Sequence, residues 1–193
     1  MRPRIHCLLM RALRTTHLVV LVGSEKGEAM GASKKVGTSA PQYWLMKSEP
    51  DVYSIDTLAK EKNQVGTWEG VRNFQARNHM RAMKKGDLAF FYHSSCEPPG
   101  VAGLMRIHRE AYPDATQFDP KSEYYDAKSK REKPYWDRVD VELIEKFKTF
   151  VPLSAIREDA AFEGMLLIKR GMRLSVQPVS EAHFKRILKL AKR

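Results

Sequence analysis

Residues 66–78 read Gly-Thr-Trp-Glu-Gly-Val-Arg-Asn-Phe-Gln-Ala-Arg-Asn, a tryptophan, an inner glycine, two arginines and two asparagines within one short stretch. That mixture suits a site that stacks a flat heterocycle and hydrogen-bonds its edge: aromatic faces stack on any nucleobase, while guanidinium and amide groups pair with base edges or hold phosphate. The same residues also admit a structural reading, with Trp68 and Phe74 as core aromatics and Arg72 and Arg77 on the solvated face of a helix. Two further groups carry polar chemistry. Lys47, Ser48 and Glu49 precede Pro50, which biases Glu49 away from helix, so they sit at the tip of a turn. His93, Ser94 and Ser95 close an apolar run. His93 and Cys96 are three apart but lack a second ligand pair, so no metal site is read. Ser48, His93 and Asp87 can be drawn as a triad, and Lys47, Glu49 and Arg72 as a charged site with Lys47 as nucleophile or base, but no Ser-His-Asp or Cys-His spacing supports either.

The elements that must position these groups follow from the apolar pattern. Residues 43–46 form a strand, and Ser54 caps a helix over 55–62 with Ile55, Leu58 and Ala59 at helical spacing. Gly70 breaks the chain before a helix over 72–83, in which Phe74, Ala76, Met80 and Met83 make a buried stripe. Arg72 and Asn73 then lie in the first turn, beside free backbone N–H groups and the positive end of the helix dipole. After a turn at residues 84–87, Leu88–His93 is apolar on both faces, as in a strand inside a barrel or sandwich. A strand over 101–107 leads into a polar excursion over 112–134, a length that in a compact domain signals function or mobility. Val139, Val141 and Leu143 alternate with Asp140 and Glu142 in a half-exposed strand. Short helical pieces at 152–156 and 162–168, a last strand at 173–178 and a helix capped by Ser180 complete an α+β order whose sheet is expected to curl into a small barrel.

The chain is long enough for one sizeable core. Its 34 Lys+Arg against 23 Asp+Glu give a formal +11, which favours an anionic partner. Seven basic and two acidic residues fall within 1–40, which leaves +6 for the other 153. Residues 1–40, rich in Gly, Ser and Ala, read as a flexible lead-in, a transit-like segment or the product of a start assigned upstream of Met30. Two cysteines, Cys7 and Cys96, build no disulfide framework and point to a reducing compartment. No apolar run approaches the length of a membrane span.

Five segments together resemble the EVE-domain family: YWLMKSEP from Tyr43, WEGVRNFQARN from Trp68, Gly86-Asp87 leading to FYHS from Phe91, WDRVDV from Trp136 and RLSVQP from Arg173. The resemblance covers residues 43 to about 190 and assigns 41–193 to the domain. It implies a PUA-like fold, a curled mixed β-sheet or small barrel with flanking helices. It also implies a non-enzymatic module that binds DNA or RNA and holds one modified base, 5-hydroxymethylcytosine or another modified cytosine, without a cofactor. Carried over, Trp68 is an aromatic wall, Arg72, Asn73 and Ser48 contact the base edge or phosphate, and Glu49, His93, Ser94 and Ser175 belong to the same pocket. Phe74 stands where relatives often have Tyr, so stacking survives without the hydroxyl. Lys47, Arg77, Lys84 and Lys85 are the expected phosphate contacts. Two alternatives accompany this reading. One is an ASCH-like amidohydrolase acting on a modified nucleoside. The other is a protein-interaction module with a vestigial pocket, using Tyr112, Tyr124, Tyr125, Tyr135 and Trp136 as an adhesive surface. The expected location is the cytoplasm in a bacterial host and the nucleus in a eukaryotic one.

Overall fold

Alternation along the first strand sets up the whole architecture. In β1 (Tyr43–Ser48) successive side chains point to opposite faces, so Trp44 and Met46 enter one apolar cluster and Leu45 another. The structure, a computed structural model, describes residues 41–192; the expectations for residues 1–40, Cys7 included, lie outside them. β3 (Leu88–His93) runs parallel to β1 and repeats the pattern, with Ala89 and Phe91 in the first cluster and Phe90 and Tyr92 in the second. Both sheet faces are therefore covered. α1 (Ile55–Lys60) and α2 (Phe74–Ala82) cover the first, while α3 (Leu153–Glu158) and α4 (Glu181–Ala191) cover the second.

The sheet has six strands in the order β2-β5-β4-β3-β1-β6, where β2 is Val65–Trp68, β4 Gly100–Pro113, β5 Asp137–Pro152 and β6 Val176–Pro178. Among the described residues only β1 and β3 pair in parallel; the other ladders are antiparallel. The sheet is mixed but open, since its end strands β2 and β6 do not pair with each other, so the expected small barrel does not close. End strands of four and three residues offer few ladder bonds with which to close a ring.

Local chemistry fixes the helix starts. Ser54 Oγ accepts from Thr57 N and Ser180 Oγ accepts from His183 N, as their positions predict. α2 begins two residues later than the pattern suggests. Asn73 is its N-cap, with Oδ1 accepting from Gln75 N at 2.9 Å and Ala76 N at 3.0 Å. Phe74, expected in the buried stripe, instead lies at the first helical position, 56 % exposed and stacked on Trp136 at 4.7 Å. The polar excursion is partly strand, because β4 runs on to Pro113. Its remainder is organised around the fully buried Gln117, whose Nε2 donates to the carbonyls of Asp114 and Trp136. Gln117 Oε1 accepts from Ser129 Oγ and from the backbone N–H groups of Tyr135 and Trp136. One amide thus closes the loop on itself, in the manner of an Ω-loop packed by its own side chains.

Candidate nucleic-acid interface

Parallel pairing of β1 with β3 brings Ser48 opposite His93 and lets Ser94 N donate to the Ser48 carbonyl at 2.9 Å. Beside them, Lys47 N donates to the Ser175 carbonyl at 2.7 Å. Three serines from three segments therefore meet at one rim, that of a cavity of about 940 Å³ that Glu49, Ser95, β2 and Tyr124 also line. The volume falls within the usual range of ligand clefts.

Trp68 satisfies both of its sequence readings. It is 5 % exposed and part of the first core cluster, yet it lines the cavity. Phe91 meets it edge-on at 5.1 Å and Tyr53, itself in the lining, at 6.0 Å, so the indole is held rigid. The Tyr53 hydroxyl is buried without a hydrogen-bond partner; burial first, then the nearby Glu61, pushes its pKa up to about 12. It lies against Gly66, where a Cβ would come within 1.9 Å of the Tyr53 oxygen, so β2 needs glycine at that point.

Arg72 also lines the cavity, but its five N–H donors are engaged within the protein. Nε and an Nη2 hydrogen reach the Tyr124 carbonyl at 2.8 and 2.6 Å, and the other Nη2 hydrogen reaches Thr116 Oγ1 at 2.8 Å. Nη1 donates to Asp114 Oδ2 at 2.8 Å and to the Val71 carbonyl at 3.2 Å. Asp114 is fully buried and accepts further bonds from Gly70 N, Thr116 N and Thr116 Oγ1. Burial works to raise its pKa, and the bonds from Arg72, Thr116 and Gly70 outweigh that and hold the carboxyl below its usual range. Gly70 adopts φ +77°, with the Tyr124 ring where a Cβ would stand, 2.8 Å away at its nearest atom. Arg72 therefore fastens the excursion to the loop after β2 and holds Tyr124 as a lip.

The expected guanidinium–amide pair is thus not a free edge-reading pair. Asn73 is exposed, caps α2 and does not line the cavity. Phe74 is also outside it; with Trp136 stacked on Phe74 and the Arg77 guanidinium 4.9 Å over the Phe74 ring, both residues belong to an outer surface. His93 Nε2 accepts from Ile55 N at 3.2 Å, which makes it a neutral partner for the start of α1 rather than a cavity group. Lys84 pairs with Glu110 at 3.1 Å, and with Lys85 it sits before β3, at the end opposite Ser94 and about 20 Å of strand away. Asp87 lies at that same end, accepting from Trp44 Nε1 at 2.9 Å, so the drawn triad does not assemble. Sequence reasoning missed Tyr53, Thr67 and Arg173 in the lining, along with Asp114 behind it. Only the tyrosine-rich excursion carried a readable signal, for Tyr124.

The rim is not cationic. Glu49, Glu61, Glu69 and Glu123 are exposed cavity residues, Glu69 being paired with Arg138 at 2.7 Å, against Lys47, Arg173 and an Arg72 already neutralised by Asp114. Lys47 Nζ lies over the Tyr92 ring at 5.7 Å, and burial lowers its pKa. Among the described residues no group of three or more His, Cys, Asp or Glu side chains can hold a metal ion, and no helix is long and apolar enough to cross a membrane.

A six-stranded mixed sheet flanked by helices, with a hydroxyl-rimmed, tryptophan-walled cavity, defines a PUA-like module. The EVE domain model matches residues 42–190, and the chain belongs to the EVE-domain family. It is similar to thymocyte nuclear protein 1 of Homo sapiens, 42% identical over 176 residues that cover 82% of this chain and 78% of the relative. Among solved structures it is similar to human THYN1 in complex with 5-methylcytosine-containing DNA, at 43% identity and a TM-score of 0.75, covering 79% of this chain and 98% of that one. A protein from Pseudomonas putida superposes with a TM-score of 0.74 at 48% identity, covering 77% of this chain and 99% of its own.

Proposed function

We propose that this protein is a non-enzymatic reader that binds nucleic acid and holds a single modified cytosine in the cavity beside Trp68. The observation that carries the reading is the rigid indole wall opening on a cleft rimmed by Ser48, Ser94, Ser95 and Ser175, in a chain 43% identical to a relative seen with 5-methylcytosine DNA. A base can enter such a cleft only by leaving its stack, at a cost of a few kcal/mol, and stacking on an aromatic contributes about 1–3 kcal/mol towards offsetting it. Serine hydroxyls both donate and accept, so they suit a base edge or a polar group at its 5-position. Arg72 acts through position, holding the Tyr124 lip, and Trp68 supplies the wall. In a eukaryotic host this reading implies the nucleus as the site of action.

Binding of one short oligonucleotide carrying cytosine, 5-methylcytosine or 5-hydroxymethylcytosine tests the proposal. The wild type is expected to prefer a modified form, and Trp68→Phe, which keeps an aromatic ring at this core position, to lose most of that preference. Equal affinity for all three would defeat the reading. The same modified nucleosides incubated with the protein should return at unchanged mass; conversion would favour the amidohydrolase instead.

A further inference from the structure

The strand that delivers the base needs a cationic track, and the cavity rim does not supply one. Its exposed carboxylates outnumber its uncommitted cations. Just past the Tyr124 lip, residues 128–133 hold four basic side chains, Lys128, Lys130, Arg131 and Lys133, against one acidic residue, Glu132. This segment alone contributes +3, half of the +6 carried by residues 41–193. All four basic residues are exposed, and among the described residues none of them forms an ion pair.

The track is built. Lys128 N donates to Asp126 Oδ1 at 2.9 Å, while Asp126 Oδ2 accepts from Trp136 Nε1 at 2.7 Å. Ser129 is buried beneath Tyr135 N, and Lys130 and Lys133 form an antiparallel bridge. Exposed aromatics accompany the charge. Of the four exposed large hydrophobic residues among those described, Phe74 lies on Trp136 and Tyr125 precedes Asp126. Exposed cations that form no ion pair among the described residues, with Arg131 over the Phe118 ring at 5.1 Å, and these exposed rings fit the backbone and unstacked bases of a nucleic-acid strand. From Tyr124 to Lys128 the chain spans at most about 14 Å, a reach of a few nucleotides.

The geometry points to a second contact surface, formed by residues 128–133 with Phe74 and Tyr125, that holds the sugar–phosphate backbone of the strand flanking the base in the cavity. This rests on the reader assignment and adds where the strand runs: affinity comes from the excursion and selectivity from the cavity.

The test compares wild type with Lys128→Ala/Lys130→Ala/Lys133→Ala, three exposed changes outside the cavity. Both are titrated with a 5-methylcytosine oligonucleotide and its unmodified counterpart over a salt series, and with free 5-methylcytidine. The triple variant is expected to lose about tenfold or more in affinity for both oligonucleotides, and the slope of log K against log salt should fall by about 2–3. The modified-to-unmodified ratio and 5-methylcytidine binding should stay as in wild type. Oligonucleotide affinity within about twofold of wild type at an unchanged slope would overturn the track, as would loss of the ratio. A wild type that binds oligonucleotides but shows no preference would overturn the reader assignment, and leave the track to be judged by its salt slope.

Discussion

Replacing Arg72 with alanine removes the cation that is ion-paired to the fully buried Asp114 carboxylate. Breaking a buried pair by deleting one partner costs about 3–5 kcal/mol, because the remaining charge stays out of water. Asp114 keeps bonds from Gly70 N, Thr116 N and Thr116 Oγ1, so the lower end, about 3 kcal/mol, is the better figure. In a chain of this size that is a fall in Tm of roughly 6–12 °C. Three contacts of the excursion are lost with it, two to the Tyr124 carbonyl and one to Thr116, so residues 119–133 should also become protease-sensitive. Thermal melting by circular dichroism and timed proteolysis read both effects. Asp114→Asn combined with Arg72→Ala should be less harmful than the two single changes added together, since the pair is lost as a unit. A melting point within about 2 °C of wild type for Arg72→Ala, with the excursion still resistant, would refute the assignment of Arg72 as a clamp.

Asn73→Ala should cost about 1 kcal/mol in urea unfolding, as for a lost N-cap, and leave the preference for a modified base unchanged; a selective loss of that preference would restore Asn73 as a reader. Gly66→Ala, whose Cβ would stand 1.9 Å from Tyr53 Oη, should destabilise by about 1–3 kcal/mol and impair base binding in titration, with normal affinity contradicting the close approach. Burial lowers the pKa of both His79 and His93, with lesser charge effects at His93. A depressed folded pKa means the unfolded chain binds protons first. Stability is therefore full above the unfolded histidine pKa of about 6.5 and is lost as pH falls through the folded values. Urea midpoints at pH 7.5 and 5.5 should show that loss, and His93→Phe should reduce it; an unaltered acid dependence would place its origin elsewhere.

Much of the fold was legible because apolar alternation and capping are local signals. Leu88–His93 read correctly as two-faced, and Ser54 and Ser180 as caps, since each depends on neighbours within a few residues. Sheet closure was not local. Whether β2 and β6 meet depends on strand lengths and bulges that no short window contains. Phe74 fits a helical stripe by spacing alone, but Asn73 caps the helix so that Phe74 is its first residue, and Trp136, 62 positions along the chain, supplies its stacking partner. Trp68, Ser48, Ser94 and Ser175 could be named because each lies within a motif, and the structure brings all four to one cavity although β2 and β1 are not neighbours in the sheet. Arg72 could be named but not its partners, because Asp114 and Thr116 lie 42 and 44 residues away and nothing in the intervening sequence marks a buried carboxylate.

The central claim, a base held in the Trp68 cavity and separate from backbone attraction, is tested most directly by the affinity ratio between a 5-methylcytosine oligonucleotide and its cytosine counterpart at low and high salt. Both affinities should fall steeply as salt rises, while the ratio stays above one and constant, because backbone charge carries no base information. A ratio of one at both salts, or one that collapses towards it as salt rises, would contradict the account.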